Sequence, residues 1–197
     1  MVKKSKILIA GDSFSTVWPD TSGSWVDLLS NDFIIDNLSQ AGIGEYKILK
    51  QIKSTDTSKY NAVIVSHTSP SRIHTRNNPL HKNGLHKDCD LIYTDLEKRF
   101  DWFNENLRIS KKFFEYHYDD EYQIDIYNLI REEIKKTIKT RYISISHVGI
   151  ASSLSIEKDH IDFSNLWLKN RGNINHYNRD GNQIIYKTIK EALNERN

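Results

Sequence analysis

The chain has 197 residues, 38% of them apolar and 27% charged, with a formal net charge of +2. That length is enough to bury a substantial core, and the composition is that of an ordinary globular protein rather than a disordered one. Near charge balance without a long basic run gives no footing to a nucleic-acid binder or to a protein held electrostatically on a membrane surface.

The opening residues Met1-Val2-Lys3-Lys4-Ser5-Lys6 carry the charge of a signal n-region, but only four apolar residues follow before Gly11-Asp12. An h-region needs ~7–15. No run approaches the ~18 apolar residues of a membrane span, so a cytoplasmic location is expected. Lys6–Ala10 reads as the first strand, ending in Gly11-Asp12-Ser13-Phe14-Ser15. That places a hydroxyl at the carboxyl edge of an opening strand, where open α/β sheets bind ligands. Ser24-Trp25-Val26-Asp27 predicts a helix start with a capping box. Phe33–Leu38 predicts a second strand, and from Gly44 the residues Ile48, Leu49 and Ile52 predict a helix with one apolar face. Ala62–Ser66 is the third predicted strand. Strand alternating with helix implies a parallel sheet with right-handed crossovers.

From Ser69 to His86 periodicity stops, and two of the three prolines, Pro70 and Pro79, fall here. A loop of this length is a functional feature or a mobile one. Thr94-Asp95-Leu96-Glu97 predicts a capped helix carrying Leu96, Phe100, Phe103 and Leu107. Phe100, Trp102, Phe103, Phe113, Phe114, Tyr116 and Tyr118 are expected to form the core of an insertion over about 69–140. A helix near Glu121–Lys139 has Tyr127, Ile130, Ile134 and Ile138 as its stripe. Arg141–Ser146 reads as a fourth strand and Ile161–Leu168 as a fifth. Ile185, Ile189 and Leu193 define a closing helix capped by Asn178 or Asp180. One domain over 1–197 is expected.

The chemistry-bearing residues gather at one sheet edge. Acyl transfer needs a hydroxyl nucleophile, a base, and N–H donors aimed at the developing oxyanion. Ser13 supplies the hydroxyl and His176, in the loop before the closing helix, the base. Gly42, after the second strand, permits close backbone approach and offers an amide. Ser66-His67-Thr68-Ser69 brings polar side chains from the third strand, and Arg72 is a candidate for binding an anionic substrate group. Asp12 is read as a carboxylate that stabilises its own turn. His74, His81, His86 and Cys89 lack the paired short spacings of a structural zinc site, so no metal is expected. The single Cys89 allows no internal disulfide and fits a reducing compartment.

In order and spacing these blocks resemble the SGNH (GDSL-type) hydrolases, a family of esterases, lipases and carbohydrate-ester deacetylases. Gly11-Asp12-Ser13 matches the nucleophile turn, Gly42 the second block, and His176 the last. Together with Trp18-Pro19, Ser24-Trp25 and Gly44-Glu45-Tyr46 they are similar to a bacterial and phage-encoded subgroup of undefined substrate. The resemblance implies a flavodoxin-like three-layer α/β/α sandwich, with a mostly parallel sheet of about five strands and a helical insertion. It implies a cofactor-free serine hydrolase acting on a small-molecule or carbohydrate ester. The oxyanion would rest on the amides of Ser13 and Gly42.

Two positions depart from that pattern. The family's third block, Gly-X-Asn-Asp, is replaced by Ser66-His67-Thr68-Ser69, leaving Thr68, His67 or a nearby amide to stand in. Loss of one oxyanion donor costs on the order of 100–1,000-fold. The acid three residues before the base is replaced by Asn173, with Asp162, Asp180 or a backbone carbonyl as other orienters of the ring. An Asp-to-Asn change in the serine-protease triad costs ~10⁴. The departures motivate a second reading, an SGNH-fold binding protein without turnover. A flavodoxin-like phosphate or nucleotide binder is a third, although the loop after the first strand has neither a P-loop nor a dinucleotide fingerprint.

Overall fold

The computed structural model describes residues 4–18, 23–101, 103–155, 157–172 and 176–195. Five strands, β1 (Lys6–Gly11), β2 (Ile34–Asn37), β3 (Ala62–His67), β4 (Arg141–Ser146) and β5 (Ile161–Asp162), form one sheet in the order β2-β1-β3-β4-β5. Every pairing is parallel. The reason lies in side-chain alternation along runs that are apolar on both faces. Ile7, Ile9 and Ile64 point into one core with Trp25, Val26 and Leu29 of α1 (Trp25–Ser30). Leu8, Ala10, Val63 and Val65 point into the other, with Ile48, Leu49 and Ile52 of α2 (Glu45–Lys53).

Between β3 and β4 come α3 (Tyr93–Glu97), α4 (Glu105–Tyr116) and α5 (Asp120–Thr137). α5 lies on the α2 face, where Ile134 enters the core. After β4 follow α6 (Gly149–Ser153), α7 (Ser164–Lys169) and α8 (Arg179–Asn194); Ile185 and Ile189 of α8 join the α1 core. The result is a three-layer α/β/α sandwich. The caps act as their residue types dictate: Ser24 and Asp27 form a reciprocal capping box on α1, and the Asn178 side chain accepts from Gly181 N on α8. Asn182 of α8 accepts from Trp25 N at 3.0 Å, tying the two ends of the chain into one layer.

Two expectations need correction. Ile161–Leu168 is not one strand: pairing ends at Asp162, whose carboxylate accepts from Ser164 N at 2.8 Å and starts α7. The stripe from Leu96 to Leu107 is not one helix either. α3 ends at Glu97, α4 begins at Glu105, and Phe100 and Phe103 between them are 78% and 99% exposed. With Tyr116 also exposed, these aromatics are surface rather than insertion core, while Trp102 lies outside the described residues.

Candidate active site

The strand order reverses direction between β1 and β3, and the crevice beyond their carboxyl ends is where such sheets hold ligands. Gly11 pairs with Ser66 there so closely that a Cβ on Gly11 would sit 2.6 Å from that of Ser66. The turn that follows is wound around Asp12. Its carbonyl accepts from Ser15 N at 3.2 Å and Thr16 Oγ1 at 3.0 Å, and its carboxylate accepts from Phe14 N at 3.0 Å. Burial pushes the Asp12 carboxyl up to about 6; the Phe14 N–H, the charge of Arg72 and a hydrogen bond from Thr68 oppose that rise. Ser13 is thereby held half-buried, its carbonyl accepting from the Trp18 indole at 3.0 Å.

The loop after β2 is laced onto this turn. Asn37 Nδ2 donates to Ser15 O at 2.8 Å and Gln40 N to Gly11 O at 3.0 Å. Gly42 has φ +71°, and a Cβ there would collide with Cys89 Sγ. Its carbonyl accepts from Asp90 N at 2.9 Å and from an Arg72 guanidinium nitrogen at 3.0 Å, which fixes the plane of the Gly42–Ile43 peptide. Asp90, fully buried, also accepts from Gly44 N at 2.6 Å and pairs with Lys47 at 2.7 Å. The Cys89 thiol donates to Ala41 O at 3.3 Å, and burial raises its pKa to about 11, so it stays protonated.

His176 approaches from the loop before α8. Its ring centroid lies 5.2 Å from Phe14 and 5.0 Å from Trp18, the ring that also grips the Ser13 carbonyl. Ser13, Phe14, Gly42, Arg72, Trp167 and His176 line a cavity of about 340 Å³. Its outer wall comes from the insertion, through His81, His86 and Asp95. The structure therefore gathers Ser13, His176, Gly42 and Arg72 around one space.

His67 and Thr68 are not part of that lining. His67 is 1% exposed, and both ring nitrogens are engaged, Nδ1 with Glu45 Oε1 at 2.5 Å and Nε2 with Tyr142 Oη at 2.7 Å. It shares strand parity with Val63 and Val65, so it faces the α2 and α5 layer. Thr68 N donates to Glu45 at 3.3 Å and its carbonyl accepts from Tyr127 Oη at 3.0 Å. The same buried network continues through Tyr142 to Glu157, which pairs with Arg131 at 2.6 Å. Asn173 lies outside the described residues. Asp162 is spent on Ser164, and Asp180 is exposed on the first turn of α8. Among the described residues no group of three or more His, Cys, Asp or Glu side chains is placed to hold a metal ion.

Sequence reasoning missed His147. It follows β4 and stacks on Phe14 with centroids 4.8 Å apart, behind the ring that touches His176. The strand-edge rule that singled out His67 at the end of β3 applies equally to His147 just after β4, and that was the available signal. The missed outer wall, His81, His86 and Asp95, has no such signature, because it is assembled by loop geometry.

No family model matches this chain, and no curated protein does. Among solved structures, it is similar to a catalytic mutant of an acetylxylan esterase from Geobacillus stearothermophilus. The two are 11% identical, with a TM-score of 0.41 over 98% of this chain and 95% of that one. A similarity of that size assigns neither a family nor an activity. No helix among the described residues is long and apolar enough to cross a membrane.

Proposed function

We propose that this chain is an SGNH-like serine hydrolase that cleaves a small ester or acetyl group, with Ser13 as nucleophile and His176 as base. The observation that carries the reading is that these two side chains, from opposite ends of the sequence, line one cavity at the β1/β3 crevice. Ser13 Oγ attacks the carbonyl carbon while His176 takes its proton. The tetrahedral oxyanion is received by the amides of Ser13 and Gly42, the latter in the peptide whose carbonyl, Ala41 O, accepts from the Cys89 thiol. His176 then protonates the departing alcohol, and water, deprotonated by the same ring, releases the acid. Asn173 is retained as the orienter of His176. His67 and Thr68 are given no oxyanion role here, since both His67 ring nitrogens are engaged behind the crevice and the Thr68 side chain is bonded to Asp12.

The replacement of the third-block Asn by Thr68 favours slow turnover, and it also supports a second reading, a binding protein that retains the cavity without catalysis. The discriminating experiment is hydrolysis of p-nitrophenyl acetate and labelling by a fluorophosphonate probe. The expected outcome is labelling and turnover in the unaltered protein, and loss of both in Ser13→Ala by about three orders of magnitude or more. Equal labelling of Ser13→Ala, or no labelling of either protein, would overturn the hydrolase reading.

A further inference from the structure

The cavity lining carries a charge pattern beyond the Ser13 and His176 pair. Arg72 is half-buried on the cavity lining, with one guanidinium nitrogen anchored on the Gly42 carbonyl at 3.0 Å. It makes no ion pair among the described residues. Its carboxylate neighbour Asp12 is buried and engaged by the Phe14 N–H and Thr68. An anchored guanidinium keeps the rest of its planar donor fork in fixed orientation, which is the geometry that suits a carboxylate or phosphate.

Two imidazoles complete that wall. The His81 and His86 rings lie 5.3 Å apart on the cavity lining, where each imidazole can offer a ring N–H to an anion. His81 is steadied by Asp95 at 3.8 Å, and His86 packs against Trp18 at 5.4 Å. Trp18 in turn touches His176 at 5.0 Å, so one indole separates the basic wall from the proposed catalytic base.

We propose that Arg72, His81 and His86 form an anion-binding subsite, which restricts the substrate to small esters bearing a carboxylate or phosphate away from the scissile bond. The proposal rests on the reading of this cavity as the active site for its location, but not for its test.

The test is calorimetric titration of the full chain with benzoate, phenyl phosphate and the neutral isostere benzamide, at low and at moderate salt. Benzoate or phenyl phosphate is expected to bind at least about tenfold more tightly than benzamide, as a charge-assisted hydrogen bond predicts. Which of the two binds more tightly assigns the anion as carboxylate or phosphate. Arg72→Gln is expected to remove that preference. Because Arg72 also holds the Gly42 carbonyl, the paired His81→Gln/His86→Gln variant is a second arm on the side of the cavity away from the sheet. It is expected to weaken anion binding severalfold. Equal binding of benzamide and benzoate, or an unchanged preference in the double variant, overturns the subsite. Anion binding without Ser13-dependent hydrolysis leaves the subsite standing and removes the hydrolase. Hydrolysis without anion preference does the reverse.

Discussion

His147 and Phe14 stack with ring centroids 4.8 Å apart and planes within 14° of parallel. Phe163 covers the other face of the imidazole at 5.5 Å, leaving the ring fully buried. Its Nδ1 bonds the Tyr177 hydroxyl at 2.9 Å, and that hydroxyl donates to Phe163 O, so Nδ1 carries the proton. Burial, with a smaller contribution from His176, depresses the pKa of His147 to about 3. The unfolded chain then takes up a proton near 6.5 that the native state refuses. The stability this group contributes is complete above that value and is lost as pH falls toward 3. By pH 5 the loss is on the order of 2 kcal/mol. His147→Gln, which cannot titrate, is expected to show a smaller fall in Tm between pH 7 and pH 5 than the unaltered protein. Parallel acid limbs for the two would contradict the assignment.

Asp12 acts with the opposite sign. Burial raises its folded pKa to about 6, so the native state binds a proton more strongly than the unfolded chain does. Its contribution is greatest below pH 4 and is lost as pH rises through 6, a difference of about 3 kcal/mol at most. Asp12→Asn removes this dependence. The Tm of the variant minus that of the unaltered protein is expected to grow as pH rises from 5 to 7, and a flat difference would refute it.

Arg131 is fully buried, bonded to Ala151 O at 2.9 Å, to Ser144 at 3.3 Å and to Glu157 at 2.6 Å. Removing one partner of a buried pair strands the other charge. Arg131→Met is therefore expected to cost about 3–5 kcal/mol in urea unfolding. The double variant Arg131→Met/Glu157→Gln is expected to recover part of that loss, and additive costs would show that the two side chains are not coupled.

Gly42 combines a left-handed φ with a neighbour, Cys89 Sγ, that leaves no room for a methyl group. Gly42→Ala is expected to lose about 1–3 kcal/mol of stability. Displacing the proposed oxyanion amide is expected to lower kcat/KM by about a hundredfold. Adding Cys89→Ala relieves the collision with sulfur but not the backbone strain, so only part of the stability returns. Full activity in Gly42→Ala would exclude its amide from the site.

The central fold was legible because β1, β3 and β4 are short β-branched runs buried on both faces, and because Ser24 and Asn178 cap their helices as their side chains dictate. The break between α3 and α4 was not. Leu96, Phe100, Phe103 and Leu107 keep helical spacing, yet Asp101 accepts from Phe103 N at 3.0 Å and Asn104 accepts from Leu107 N at 3.0 Å. Those short polar side chains capture the backbone donors that a continuous helix would use. Ser13, Gly42 and His176 were legible as neighbours around one cavity because each ends or precedes a regular element at the same sheet edge. His67 looked equivalent, but strand parity turns it toward Glu45, and the Arg131–Glu157 pair that completes its surroundings joins residues with no pattern between them.

The two-residue length of β5 has a consequence for the assembled molecule. A sheet rim attracts strands from other chains in proportion to the open amides and carbonyls it displays. This rim pairs through Ile161 and Asp162 alone before the backbone coils away into α7, and the opposite rim, β2, has four residues. Neither border is long enough to template intermolecular β-pairing, so the hydrophobic β-layer is protected from fibrous growth by its own brevity.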